Sequence, residues 1–82
     1  MSEQKIQSKI IKELEEQGYY VIKLVKTNKN GIPDLIAIPK DSDVLFVEVK
    51  GPKGKLSPLQ EYRHKELKSY GIKCETRNGT DD

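Results

Sequence analysis

The sequence of 82 residues contains little cysteine, little histidine and no long hydrophobic run. The single cysteine, Cys74, excludes a disulfide framework and a cysteine-rich zinc site, and its apolar neighbours predict a small buried residue. The single histidine, His64, has no partner ligand at a suitable spacing, so we expect it on the surface or behind a ligand rather than on a metal. No apolar run can cross a bilayer and no signal peptide precedes the first predicted helix, which favours a cytoplasmic location without a membrane partner.

A strong excess of charge of one sign is also missing, because fifteen basic residues stand against thirteen acidic ones. A net charge of +2 does not by itself indicate nucleic-acid binding, so the placement of the lysines is more informative than their sum. The lysines recur in two groups, Lys23, Lys26 and Lys29, then Lys50, Lys53 and Lys55. Either these lysines contact phosphates or they keep solvated loops soluble.

Apolar periodicity and turn residues divide the chain into two predicted helices and four predicted strands. The helices cover 2–17 and 58–70, the strands cover 19–25, 32–38, 44–50 and 72–76, and a frayed end covers 77–82. This αβββαβ order predicts one domain over 1–82, of the α/β or α+β class, with a mixed central sheet. So short a chain has a thin core, which a dimer interface would enlarge.

The apolar side chains also predict which faces of these elements are buried. In the first helix, helical spacing relates Ile6, Ile10, Ile11 and Leu14. In the second helix, the predicted buried stripe consists of Leu59, Tyr62, Arg63, Leu67 and Tyr70. Tyr62 and Tyr70 are alternatively candidates for an interface with another molecule. The strand over 44–50 is apolar on both faces, which predicts a central position in the sheet.

Charged residues stand at the ends of two apolar strands. Asp34 precedes the run Leu35-Ile36-Ala37-Ile38, and Glu48 and Lys50 follow the run over 44–47. Because side chains alternate along a strand, Glu48 and Lys50 share one face, with attachment points about 6.6 Å apart. Charges at such positions are costly unless a salt bridge or a bound cation compensates them.

Two carboxylates beside one lysine are suited to phosphodiester hydrolysis. Mg²⁺ and Mn²⁺ prefer carboxylate, carbonyl and water oxygens, so the candidate ligands are Asp34, Glu48 and the backbone carbonyl of Val49. Lys50 could orient the attacking water or neutralise charge in the transition state. A nuclease is therefore the leading hypothesis, and a salt bridge from Lys50 to Asp34 or Glu48 is the alternative without chemistry.

Three sequence blocks appear in the order of a known family: G-I-P-D-L-I over 31–36, E-V-K over 48–50 and G-K-L-S-P-L-Q over 54–60. Together they resemble the virus-type replication-repair nuclease (VRR-NUC) domain, a branch of the PD-(D/E)xK superfamily. The resemblance implies a restriction-endonuclease-like core and a DNA endonuclease that uses Mg²⁺ or Mn²⁺ and no nucleotide cofactor. It also implies similarity to Holliday junction resolvases, which small phage-carried members resemble in acting as homodimers on four-way junctions. A phage origin would place the protein in the host-cell cytoplasm.

Carried over to this chain, the resemblance assigns a catalytic role to Glu3, Asp34, Glu48, Lys50 and Gln60. Asp34 matches the aspartate of the PD motif, and Glu48 and Lys50 match the E-x-K pair. Glu3 matches a glutamate of the first helix, which we expect to reach the metal through a water molecule. The residues expected to contact DNA are Lys23, Lys26, Lys53, Lys55 and Ser57.

Two of these assignments have structural alternatives. Glu3 lies on the helical face of Ile6 and Ile10, which predicts a carboxylate directed at the sheet and not at open solvent, yet an acid in a first turn is also favoured by the helix dipole. Gln60 is either near the site or the third helical residue of a capping box with Ser57, and both roles are compatible.

Two further functions stay open at this point. The same fold could act on flaps, nicks or unmodified duplex in place of four-way junctions. A non-catalytic DNA-binding or assembly module is the alternative from a different class, and the presence of Asp34, Glu48 and Lys50 argues against it.

Overall fold

The computed structural model describes residues 3–80, which form two helices and one four-stranded sheet. The elements in chain order are α1 (Glu3–Glu16), β1 (Tyr20–Lys23), β2 (Leu35–Ile38), β3 (Leu45–Lys50), α2 (Pro58–Ser69) and β4 (Lys73–Asn78). The strands lie in the order β1-β2-β3-β4, with the first three antiparallel and β4 parallel to β3. The predicted αβββαβ order and mixed sheet are therefore confirmed. Within residues 3–80, neither helix is long and apolar enough to span a membrane.

Helix α1 covers one face of the sheet with the residues that its periodicity predicts. Ile6, Ile10 and Leu14 are buried and pack in one cluster with Leu35, Ala37, Leu45, Val47 and Val49 of the sheet. Gly18, with a φ of +95°, follows the helix end in a conformation that favours glycine. The predicted helix is one residue longer at its C-terminal end, and its first predicted residue, Ser2, lies outside the described residues.

Strand β3 occupies the centre of the sheet, between β2 and β4, as its apolar pattern predicts. Its side chains alternate, so Leu45, Val47 and Val49 lie in the core beneath α1. Glu48 and Lys50 therefore project from the opposite face. The side of the sheet turned away from α1 is where the charged residues of β3 lie.

Strands β1 and β2 are shorter than predicted. Their ladder ends at the pair Lys23–Leu35, although the N–H of Leu24 still donates to the carbonyl of Asp34 at 2.8 Å. Pro33 has no N–H to donate and Gly31 turns the chain with a φ of +81°, so the ladder cannot extend towards residue 32.

Strand β4 is longer than predicted, and the expected fraying after Thr76 is wrong for Arg77 and Asn78, which belong to the strand. The reason is the parallel ladder, in which β3 offers hydrogen-bond partners as far as its last residue. The Asn78 amide also donates to the carbonyls of Gly51 and Gly54 at 2.8 and 2.9 Å. These bonds hold the loop after β3 against the end of β4. The last two residues lie outside the described part.

Helix α2 is turned about its axis relative to the prediction. Three members of the predicted buried stripe are exposed, Leu59 by 43%, Tyr62 by 57% and Tyr70 by 81%. His64 is the buried residue of α2, with 7% of its surface exposed, so of its two expected positions, on the surface or behind a ligand, the surface is excluded. Polar and apolar side chains are poorly segregated around α2, so its pattern could not specify the buried face.

Candidate active site

Asp34 and Glu48 meet at one end of the β2–β3 pair. The antiparallel register pairs Leu35 with Val47, so the next position outward sets Asp34 opposite Glu48. The Asp34 carboxylate accepts the backbone N–H of Val49 through Oδ2 at 2.9 Å. This bond fixes Asp34 against β3, beside Glu48.

Glu48 is a buried acid, with 2% of its surface exposed. Its pKa is raised from 4.5 to about 8, first by burial, then by a hydrogen bond and charge repulsion from Asp34. At neutral pH without metal, Glu48 therefore carries a proton that it shares with Asp34. A cation beside the two carboxylates would favour the ionised form of both.

Lys50 completes the predicted group at the end of β3. Its positive charge lowers the pKa of Glu48 and so opposes the effect of burial. Within residues 3–80, Lys50 forms a salt bridge with neither Asp34 nor Glu48. The salt-bridge alternative for Lys50 is therefore not what this geometry shows. Gly54 packs closely on Lys50, since a Cβ added to Gly54 would lie 2.9 Å from the Lys50 Cβ.

Glu3 is exposed, so the expectation that its carboxylate turns away from open solvent is wrong. It is the first residue of α1, one turn before the first buried residue, Ile6. Its charge still contributes, after larger causes, to the raised pKa of Glu48. Among the described residues, no three His, Cys, Asp or Glu side chains gather closely enough to hold a metal. A role for Glu3 through a water molecule stays a prediction.

Gln60 and Ser57 form a capping box, which is one of the two roles predicted for Gln60. The Ser57 hydroxyl accepts the N–H of Gln60 at 3.1 Å, and the Gln60 Oε1 accepts the N–H of Ser57 at 2.9 Å. Pro58 occupies the first helical position, where its missing N–H is no loss. Gln60 thus stabilises the start of α2, and its catalytic role stays a prediction.

His64, which the sequence analysis expects on the surface or behind a ligand, lies close to Glu48. Its Nε2 lies 4.0 Å from the Oε1 of Glu48, and neither atom has a hydrogen-bond partner within the described residues. Burial, and then the charge of Lys68, lowers the pKa of His64, so the ring is neutral at pH 7. One feature of the sequence could have indicated this position. His64 follows Gln60 by four residues, so the two share one side of α2, which is half-buried.

The lysines expected to contact DNA are exposed on the loops and strand ends around this site: Lys23, Lys26, Lys53 and Lys55. Between β1 and β2 the chain borders an open groove of about 460 Å³, and Asp34 is among the residues that line it. Lys26 and Lys29 both line this groove, so Lys29 joins the residues that face the site. Arg63 holds the same loop to α2 by donating through Nε to the carbonyl of Asn30 at 2.8 Å.

The donor set at this site suits a small divalent cation. Asp34 and Glu48 supply carboxylate oxygens side by side, and burial and the charge of Asp34 disfavour ionisation of Glu48. Two such carboxylates are costly when both are ionised unless a cation compensates them. Mg²⁺ is commonly held by one or two carboxylates and keeps several waters, so two carboxylates are enough.

Comparisons with known proteins agree with this arrangement. The model of the VRR-NUC domain matches residues 1–81. A protein of Acyrthosiphon pisum secondary endosymbiont phage 1, named "Putative nuclease p44", is 33% identical over 70 residues, which cover 84% of this chain and 74% of that protein. A solved structure described as a VRR_NUC domain superposes with a TM-score of 0.80 at 29% identity, and covers 95% of this chain and 84% of its own. The chain therefore belongs to the VRR-NUC family of nuclease domains.

Proposed function

We propose that this protein is an Mg²⁺- or Mn²⁺-dependent endodeoxyribonuclease that cleaves branched DNA, four-way junctions above all, as a homodimer. The observation that carries the proposal is the pairing of Asp34 with a buried Glu48 whose pKa is raised to about 8. Such a pair has little structural use, because each carboxylate disfavours the charge of the other. Its cost is relieved when a divalent cation binds both.

The chain's own residues would then have distinct tasks. Asp34 and Glu48, with the carbonyl of Val49, would hold the cation, which supplies charge neutralisation on the phosphate and a more acidic water. Lys50, which has no ion pair within residues 3–80, is free to hold the attacking water or to stabilise charge on the phosphate oxygens. The bond from Val49 N–H keeps Asp34 in place before any ligand arrives.

Lysines around the groove support a nucleic-acid substrate. Lys26 and Lys29 line the groove together with Asp34, while Lys53 and Lys55 lie on the loop that follows Lys50. Contacts of this kind bind the phosphate backbone without reading sequence, and they weaken steeply with salt. We therefore expect DNA affinity that depends on salt and on DNA shape more than on base sequence.

Uncovered apolar side chains support the proposed homodimer. On β1, Tyr20 and Ile22 are exposed and share one face of an edge strand. On α2, the exposed Tyr62 and Tyr70 are the residues that the sequence analysis favours for an interface. A two-fold dimer presents two equal sites, as two symmetric cuts in a four-way junction require. Light scattering after size exclusion of the protein and of Tyr62→Lys tests this part separately.

Cleavage of a panel of labelled DNAs tests the enzymatic part. The purified protein is incubated with a four-way junction, a flap, a nicked duplex and an intact duplex, each with Mg²⁺, Mn²⁺ or EDTA. We expect metal-dependent cleavage, fastest on the junction, that is lost in Asp34→Asn and kept in the matched control Asp41→Asn. Asp41 is an exposed acid in the turn between β2 and β3, beyond the opposite end of β2 from Asp34.

The panel also separates the remaining functions. Preferred cleavage of the flap, nick or duplex would overturn the junction assignment and keep the nuclease. DNA binding without cleavage in any metal, together with equal Mn²⁺ binding by the wild type and Asp34→Asn, would favour a non-catalytic module. Equal cleavage by Asp34→Asn and Asp41→Asn would exclude the proposed site.

A further inference from the structure

Two buried polar atoms lie between α2 and β3, just beyond hydrogen-bonding distance of each other. The Oε1 of Glu48 and the Nε2 of His64 lie 4.0 Å apart, and neither has a hydrogen-bond partner within residues 3–80. The residues are exposed by only 2% and 7%, so bulk water does not readily satisfy them. A buried polar atom without a partner is uncommon and destabilising, which calls for a functional explanation.

The chemistry of the two groups is complementary. A neutral imidazole carries one N–H donor and one acceptor nitrogen, and an ionised carboxylate only accepts. A hydrogen bond needs about 2.9 Å between heavy atoms, so a movement of about 1 Å, by rotation of either side chain, closes the gap.

We propose that His64 is a positioning residue, whose Nε2–H donates to the Oε1 of Glu48 and so directs the other carboxylate oxygen towards Asp34 and the cation. The inference rests on the metal-dependent function proposed above. It assigns His64 to the support of a ligand and not to direct metal binding. Partners of this kind orient a ligand and set its basicity, and their loss commonly weakens metal affinity by 10–100-fold.

The structure holds His64 in place for this task. The capping box between Ser57 and Gln60 fixes the first turn of α2, and His64 follows one turn later. Arg63, the residue before His64, holds the helix to the loop before Asp34 by donating to the carbonyl of Asn30. The ring therefore approaches Glu48 from an anchored helix, and small rotations of the side chains complete the bond.

Nitrogen NMR of the ring offers a direct test, because His64 is the only histidine and gives one unambiguous set of signals. The spectrum is recorded on the full-length protein without metal and with saturating Mg²⁺, in the absence of DNA. We expect the Nε2–H tautomer in the Mg²⁺ form, with the proton retained on Nε2. An Nδ1–H tautomer, or an Nε2 without a proton at saturating Mg²⁺, would overturn the proposal.

Substitutions provide a second readout, the affinity for Mn²⁺ measured by calorimetry. Gln can offer an N–H near the position of Nε2, whereas Asn reaches only as far as Nδ1 and Leu has no donor. We expect His64→Leu and His64→Asn to lose about tenfold or more in Mn²⁺ affinity and His64→Gln to stay within about threefold of the wild type. Lys65→Leu, on the exposed side of the same helix, is the matched control.

Equal losses in all three His64 variants would mean that the residue acts through packing or as a direct ligand, and would refute the positioning role. An Mn²⁺ affinity equal to that of the wild type in all three variants would refute it as well. A failure of the metal-dependent function gives a different result, since the wild type itself would then bind Mn²⁺ no better than Asp34→Asn. Far-ultraviolet circular dichroism confirms that each variant is folded before its affinity is used.

Discussion

Raising the pH should destabilise the metal-free protein through one side chain, Glu48. Its pKa is about 8 in the folded protein and close to the ordinary value of 4.5 in the unfolded chain. Below about pH 4.5 both states hold the proton, and the stability that this carboxyl contributes is fully present. As the pH rises towards and through 8, the unfolded chain has already released the proton that the folded protein still binds, so unfolding becomes easier.

The size of the effect follows from the two pKa values. A difference of one pKa unit corresponds to about 1.4 kcal/mol, so the complete loss is roughly 5 kcal/mol. Between about pH 6.5 and about pH 8.5 the linkage relation assigns roughly 2 kcal/mol of it to Glu48. The lowered pKa of His64 and the raised pKa of Cys74 keep most of their titration outside this window.

Urea denaturation in EDTA, followed by circular dichroism at the two pH values, measures this loss. With a slope of about 1 kcal/mol per molar urea, as suits a domain of this size, the midpoint should fall by about 2 M. Glu48→Gln keeps the shape of the side chain and cannot ionise, so its midpoint should change little. Saturating Mg²⁺ in place of EDTA should also flatten the dependence in the wild type.

The comparison of the two proteins decides whether the reasoning holds. If the wild type and Glu48→Gln lose the same free energy of unfolding between the two pH values, Glu48 does not titrate in this range. The carboxylate pair would then be ionised in the folded protein without metal. That result would remove the electrostatic argument for a cation site at Glu48.

Three further predictions concern neighbouring residues. Lys50→Ala should abolish cleavage and leave junction affinity within about tenfold in gel-shift assays, with Lys40→Ala as control, whereas collapsed binding would make Lys50 a phosphate anchor. Asp34→Asn should weaken Mn²⁺ binding in calorimetry and, above about pH 8 where Glu48 ionises, leave the metal-free melting temperature unchanged or higher, because repulsion between the two carboxylates is relieved; a marked fall in that temperature would contradict this. Ser57→Ala should cost about 1 kcal/mol in urea denaturation through loss of the capping box, and an unchanged midpoint would mean that the cap contributes nothing.

Local patterns in the sequence were enough to predict the order of the elements and the centre of the sheet. The spacing of Ile6, Ile10 and Leu14 defines a helix face, and alternation along β3 separates its core residues from Glu48 and Lys50. These features depend on residues that are near one another in the chain, because the helix and strand repeats are set by local backbone geometry.

Features that depend on distant partners were predicted less well. The exposure of Glu3 depends on where the start of α1 lies relative to the sheet, and the extension of β4 through Asn78 depends on the length of β3. The buried face of α2 depends on the surface that receives it, because its own pattern is weakly amphipathic. None of these partners can be read from the neighbouring sequence.

The sequence by itself determined the fold class, the family resemblance and the group formed by Asp34, Glu48 and Lys50, since all three can be recognised from local periodicity and short motifs. Only the tertiary structure decided the state of that group. Burial beneath α2 and the closeness of Asp34 raise the pKa of Glu48 to about 8, and the packing of α2 brings His64 to within 4.0 Å of it. Both effects arise from residues brought together across the sheet and the helix, because desolvation and charge repulsion depend on distance in space and not on separation along the chain.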